Sequence, residues 1–147
     1  MLSLIEKFDL KKALLIGGGL WVFGFFFGWG LMAAMGIDPQ EEDFDIDHDK
    51  YWTFEAVMFP VFIVIGLAVL YWYFKSGEMD AEFWITEALL AGITIMVIQF
   101  VLDAIFLVII LGNGVEYFFA LVTVSYLLIP AWALLAGYFV RVYQTSA

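Results

Sequence analysis

Residues 85–111 read ITEALLAGITIMVIQFVLDAIFLVIIL. A helix needs about 20 mostly apolar residues to cross a bilayer, and this stretch supplies them. Gln99 and Asp103 nevertheless lie well inside it. At about 1.5 Å of rise per residue, the separation of Asp103 from Gly112, where the run ends, is about 13 Å of depth, close to the middle of a ~30 Å hydrocarbon core. An ionisable group at that depth is costly, so it marks a functional-site hypothesis by default. The reading of this stretch decides the class of the protein and points to one site.

Composition agrees with a membrane chain. Of the 147 residues, 65% are hydrophobic, and mean hydropathy is +0.97. Soluble domains sit nearer to half apolar. One integral membrane domain spanning residues 1–147 is expected. The net charge of −10 is drawn largely from one loop and argues against nucleic acid, which requires clustered Lys and Arg. Zero cysteines exclude disulfides, thiolate metal sites and iron–sulfur clusters. The sole histidine, His48, falls in the acidic loop, which leaves none in the membrane to ligate haem.

Four spans are predicted, at residues 13–35, 53–75, 84–111 and 115–140. Residues 1–10 mix apolar and charged side chains, either as an amphipathic turn on the membrane surface or as a frayed lead into the first span. The first span is too long for a signal-peptide core and reads as a retained helix. Gly17, Trp21, Gly24 and Gly28 share one face of it, and Gly24 and Gly28 form a small-xxx-small pair that permits close helix approach. Internal bundle packing is the simpler use of that face, and a seam between two copies is the other. Gly36 and Pro39 end the helix. In the second span Thr53 reads as the N-cap, Glu55 as an anion favoured by the first-turn dipole, and Pro60 as a bend near the entry.

Residues 36–52 form the loop between the first two spans. Within it Asp43, Asp45, Asp47 and Asp49 alternate with other residues. Alternate carboxylates can converge on Ca²⁺, which takes six to eight oxygen ligands. An EF-hand is a poor match, because His48 falls where glycine is required and Phe54 where a bidentate glutamate is required. A solvated acidic loop, open to a basic partner, is the simpler reading.

Along the third span, Asp103 shares a face with Gln99, while Glu87 lies on nearly the opposite face. Asp80 is placed to cap this helix, and Gly112-Asn113-Gly114 makes a tight turn into the fourth span. Counted outward from that turn, Thr123 and Tyr126 come level with Asp103. Pro130 donates no backbone hydrogen bond and leaves the Tyr126 carbonyl without its helical partner. A buried polar cluster of Gln99, Asp103, Thr123 and Tyr126 is therefore expected, with Glu87 as a lesser candidate. Lys7, Lys11, Lys12, Lys75 and Arg141 fall on one side of the spans and Lys50 on the other. The positive-inside rule then gives an up-down-up-down, all-α bundle of four transmembrane helices with both termini cytoplasmic and residues 36–52 external.

Two functional classes follow. The leading one is a non-catalytic subunit or assembly factor of a larger membrane complex, with the glycine face and the two-sided third helix supplying contacts to other subunits or to a second copy. The alternative is an oligomeric proton- or cation-coupled carrier that uses Asp103. An enzyme is not expected. The sequence offers no Ser–His pair, no phosphate-cradling loop and no pair of acids on one face of the third helix. No cofactor is expected beyond a weak Ca²⁺ site in the loop.

Overall fold

The chain is described from a computed structural model that covers residues 8–37, 49–77, 82–110, 112 and 125–146. Four helices organise these residues: α1 (Leu10–Met35), α2 (Asp49–Lys75), α3 (Trp84–Asp103) and α4 (Ile129–Ser146). The backbone runs on from α3 as a π-helix, Ala104–Ile110, and a helical turn at 125–127 precedes α4. No strand occurs among the described residues. The stretches Leu10–Met35, Trp52–Lys75, Trp84–Ile110 and Ser125–Gln144 are each long and apolar enough to cross a membrane. The fold is thus all-helical with four candidate spans. Much of the first half of the fourth expected span, 115–124, lies outside the described residues.

The helix ends show which local signals operate. Asp9 caps α1, its carboxylate accepting from the Lys12 backbone N–H at 2.8 Å. Gly36 closes α1 in the left-handed region at φ 65, a conformation that glycine adopts without a Cβ penalty. Gly112 likewise has φ 73. Replacing Asp9 with alanine is expected to lower stability by about 1 kcal/mol, read as a shift of the unfolding midpoint in detergent micelles.

Two cap assignments need correction. Thr53 does not cap α2, because the helix starts at Asp49 and the Thr53 hydroxyl donates to the Asp49 carbonyl at 3.0 Å. This is the back-bonding that threonine makes inside a helix. The loop is shortened accordingly, since residues 49–52 of the expected 36–52 are helical. Phe83, not Asp80, occupies the N-cap position of α3, and it makes no side-chain cap bond. Asp80 itself is outside the described residues.

The helices meet in a ring, α3 against α1 and α4, and α2 against α4 and more narrowly against α1. The α3–α4 seam is made of small residues. Ala88, Ala91, Ala133 and Ala136 are buried there, and a Cβ built on Gly92 would stand 2.6 Å from Pro130 Cα. Backbones can come this close only where side chains are absent or minimal. Larger buried side chains (Leu70, Tyr73, Phe74, Ile95 and Val140) fill the space beside this seam. At the same end Lys12 Nζ donates to the Tyr73 carbonyl at 3.1 Å and to Ser76 Oγ at 2.7 Å, tying the start of α1 to the end of α2.

Candidate functional site

The glycine face of α1 lies inside the bundle. A Cβ on Gly17 would meet Ile98 and Ile95 of α3 at 3.2–3.4 Å, and one on Gly28 would meet Met58 of α2 at 3.3 Å. A Cβ on Gly24 would run into the tip of the Phe62 ring. The three glycines thus set the approach of α1 to two neighbours. Beside this contact of α1 with α3, Gln99 Nε2 donates to the Gly17 carbonyl at 2.9 Å in a buried bond. An amide buried in a span must find a partner, because lipid offers none.

One turn further along α3, Asp103 is 4% exposed. Its Oδ1 accepts from the Trp21 indole N–H at 2.7 Å, and its Oδ2 accepts from the Tyr126 hydroxyl at 2.5 Å. One carboxyl therefore joins three elements: α1, α3 and the turn ahead of α4. The donors are themselves held by ring packing. Trp21 stacks on Phe25 with centroids 5.0 Å apart and tilts against Phe106 at 4.7 Å. Tyr126 meets Phe100 edge-on at 5.3 Å. The π-helical turns follow immediately after Asp103; such insertions widen the helix and recur at functional sites.

Asp103 and Gln99 also border a partly open cavity of about 110 Å³. It lies between the second half of α1 and the first half of α2, where contact between those two helices is narrow. Its wall carries a second carboxylate, Glu55, together with rings from both helices. A smaller apolar cavity of about 30 Å³ continues past Gln99, Ser125 and Tyr126 toward Leu70 and Trp132. The polar cluster thus stands between two voids aligned along the bundle. The larger can hold several water molecules or a small head group, and the smaller can hold about one water.

The structure brings together Asp103 and Tyr126, with Gln99 one turn away and bonded to α1. Thr123 lies outside the described residues. Glu87 is half-buried in the first turn of α3, about 24 Å along the axis from Asp103, and so belongs to the other end of the helix. Of the loop carboxylates, Asp43, Asp45 and Asp47 lie outside the described residues, and Asp49 begins α2 as an exposed residue. No group of three or more His, Cys, Asp or Glu placed to hold a metal ion occurs among the described residues.

Sequence reasoning missed two members of the site. The sequence places Trp21 on the glycine face of α1, where it reads as packing, although an indole N–H in a span needs an acceptor. Glu55 was assigned to the helix dipole because the start of α2 was set at Thr53; with the helix beginning at Asp49, Glu55 lies beyond the first turn and reaches the cavity wall. Comparison with protein-family models, curated proteins and solved structures finds no match to the chain.

Proposed function

We propose that this small multi-pass membrane protein is non-catalytic and takes up a proton or another cation at Asp103, acting as a carrier. The observation that carries this reading is the cavity. Asp103 is buried in the bundle, yet it borders an open space shared with a second carboxylate, and a further void lies beyond it. A carboxyl used only to join helices has no need of such a space. Carrier action requires access to a mid-membrane acid, and ionisable residues that face internal cavities are the usual mark of ion and proton routes. The charge distribution supports the orientation with both termini cytoplasmic and the acidic loop external, so that the larger cavity faces outward.

A second reading is favoured by a different observation. Both oxygens of Asp103 already accept hydrogen bonds from other elements, as they would in a purely structural joint. In that case the protein is a subunit or assembly factor of a larger membrane complex, contacting lipid, other subunits or a second copy, with the acidic loop meeting a basic partner.

Reconstitution separates the two. With a pH-sensitive dye enclosed in proteoliposomes, the wild-type protein is expected to relax an imposed proton gradient. Asp103→Asn, checked for intact helicity and monodispersity, is expected to slow that relaxation by about tenfold or more, as loss of the titrating group requires. Equal relaxation by both proteins would remove the carrier reading. Purification from native membrane with stoichiometric companion proteins would then establish the subunit reading.

A further inference from the structure

We infer that the cavity between α1 and α2 is a binding site for a small organic cation, an alkylated ammonium head group. The inference rests on the carrier reading and names the class of its substrate. Three features of the wall select this chemistry. Glu55 and Asp103 place two carboxyl groups on it, and no Lys or Arg occurs among its described residues. Rings of Trp21, Phe25, Trp29, Phe54, Phe59 and Phe62 make up much of the remainder. Aromatic faces attract a weakly hydrated cation, and quaternary ammonium groups are the ligands that such walls recognise best. A hard metal ion would instead require six or more oxygens, which a wall of rings does not supply.

Size and shape agree. A dry cavity of about 150 Å³ admits benzene, so about 110 Å³ admits a methylated ammonium head. The open side leaves a route for the rest of the molecule toward the lipid or the surface. Asp103 already accepts one bond on each oxygen, but a carboxylate has about four acceptor sites. Binding therefore need not break the links to Trp21 and Tyr126. Trp21 and Trp29 both line the space, so occupancy is reported by tryptophan fluorescence.

The test titrates the full-length protein in nanodiscs with choline and, in parallel, with its uncharged carbon isostere, read by fluorescence and by calorimetry. Choline is expected to give a saturable signal and the isostere none at the same concentrations. Glu55→Gln is expected to weaken choline binding by several-fold, and Asp103→Asn by about tenfold or more. Gly24→Ala provides a variant that leaves both carboxylates in place. Its new methyl runs into the tip of the Phe62 ring, which lines the cavity beside Gly24 itself, and it is expected to weaken choline binding without changing net charge. Should Asp103→Asn fail to fold, Glu55→Gln and Gly24→Ala decide the matter. Equal binding of the isostere, or choline binding unchanged in both of those variants, would overturn the inference. Absence of choline binding together with intact Asp103-dependent proton flux would overturn the inference alone and leave the carrier standing. Flux insensitive to Asp103→Asn would remove the carrier itself.

Discussion

Replacement of Asp103 with leucine is expected to lower stability by about 2–3 kcal/mol, whereas Asp103→Asn costs about 1 kcal/mol. Leucine branches at Cγ as aspartate does but is bulkier, and it leaves two donors stranded: the indole N–H of Trp21 and the hydroxyl of Tyr126. A buried donor without an acceptor costs about 1–3 kcal/mol in water-soluble proteins. Inside membranes the measured strengths are smaller, about 0.6 kcal/mol on average and about 1.7 at most, because the separated helices also find partners. Two donors lost together, at about 0.6–1.7 kcal/mol each, give about 1–3 kcal/mol, and the expected value lies in the upper part of that span. Asparagine keeps an acceptor oxygen for the Trp21 N–H, and its amide N–H can donate to the Tyr126 hydroxyl, so both links persist in weaker, uncharged form. Reversible unfolding in mixed micelles checks the order of the two variants. If leucine were neutral or stabilising, the carboxyl would not be the joint that its hydrogen bonds imply.

Gly92→Ala is expected to cost about 2 kcal/mol, more than alanine at any other glycine of the bundle interior. The added methyl would stand 2.6 Å from the Pro130 Cα and 3.0 Å from the Ala133 Cβ. Neither can turn away, since one is backbone and the other is bound directly to it. The α3–α4 seam must open, and the small residues along it (Ala88, Ala91 and Ala136) lose close packing together. Gly24→Ala is the control. There the methyl meets the far end of the Phe62 ring, a movable group with a cavity beside it, and the cost is expected to stay below about 1 kcal/mol. The two substitutions are chemically identical and both lie in spans, so a difference between them reports local rigidity and not helix propensity. A smaller loss at Gly92 than at Gly24 would contradict this description of the seam.

Most of the helical architecture is legible in the sequence, because hydropathy over a window of membrane length is a strong signal and this chain carries four such windows. Asp103 stood out for the same reason, as a charge where none belongs. Tyr126 was found by counting from the glycine turn, since rise per residue fixes depth. Other features were not legible. Depth does not say which helices are neighbours, so the reach of Trp21 from α1 to α3 depends on a ring order that periodicity cannot supply. The place of Glu55 is hidden because α2 begins before Thr53, and a threonine that bonds back to its own helix looks like a cap in sequence. The α3–α4 seam was overlooked because Ala88, Ala91 and Gly92 appear as unremarked apolar residues until Pro130 is seen against them. The π-helical turns after Asp103 have no proline or glycine within them to announce their presence.

The central claim is that Asp103 is held inside the protein by Trp21 and Tyr126. The most direct measurement is the indole N–H resonance of Trp21 among the six tryptophans, assigned by Trp21→Phe in isotope-labelled protein. That proton is expected to lie downfield of the others, to exchange slowly with water, and to move most on Asp103→Asn. Exchange as fast as that of Trp72, which is 59% exposed, with no response to the Asp103 substitution, would contradict it.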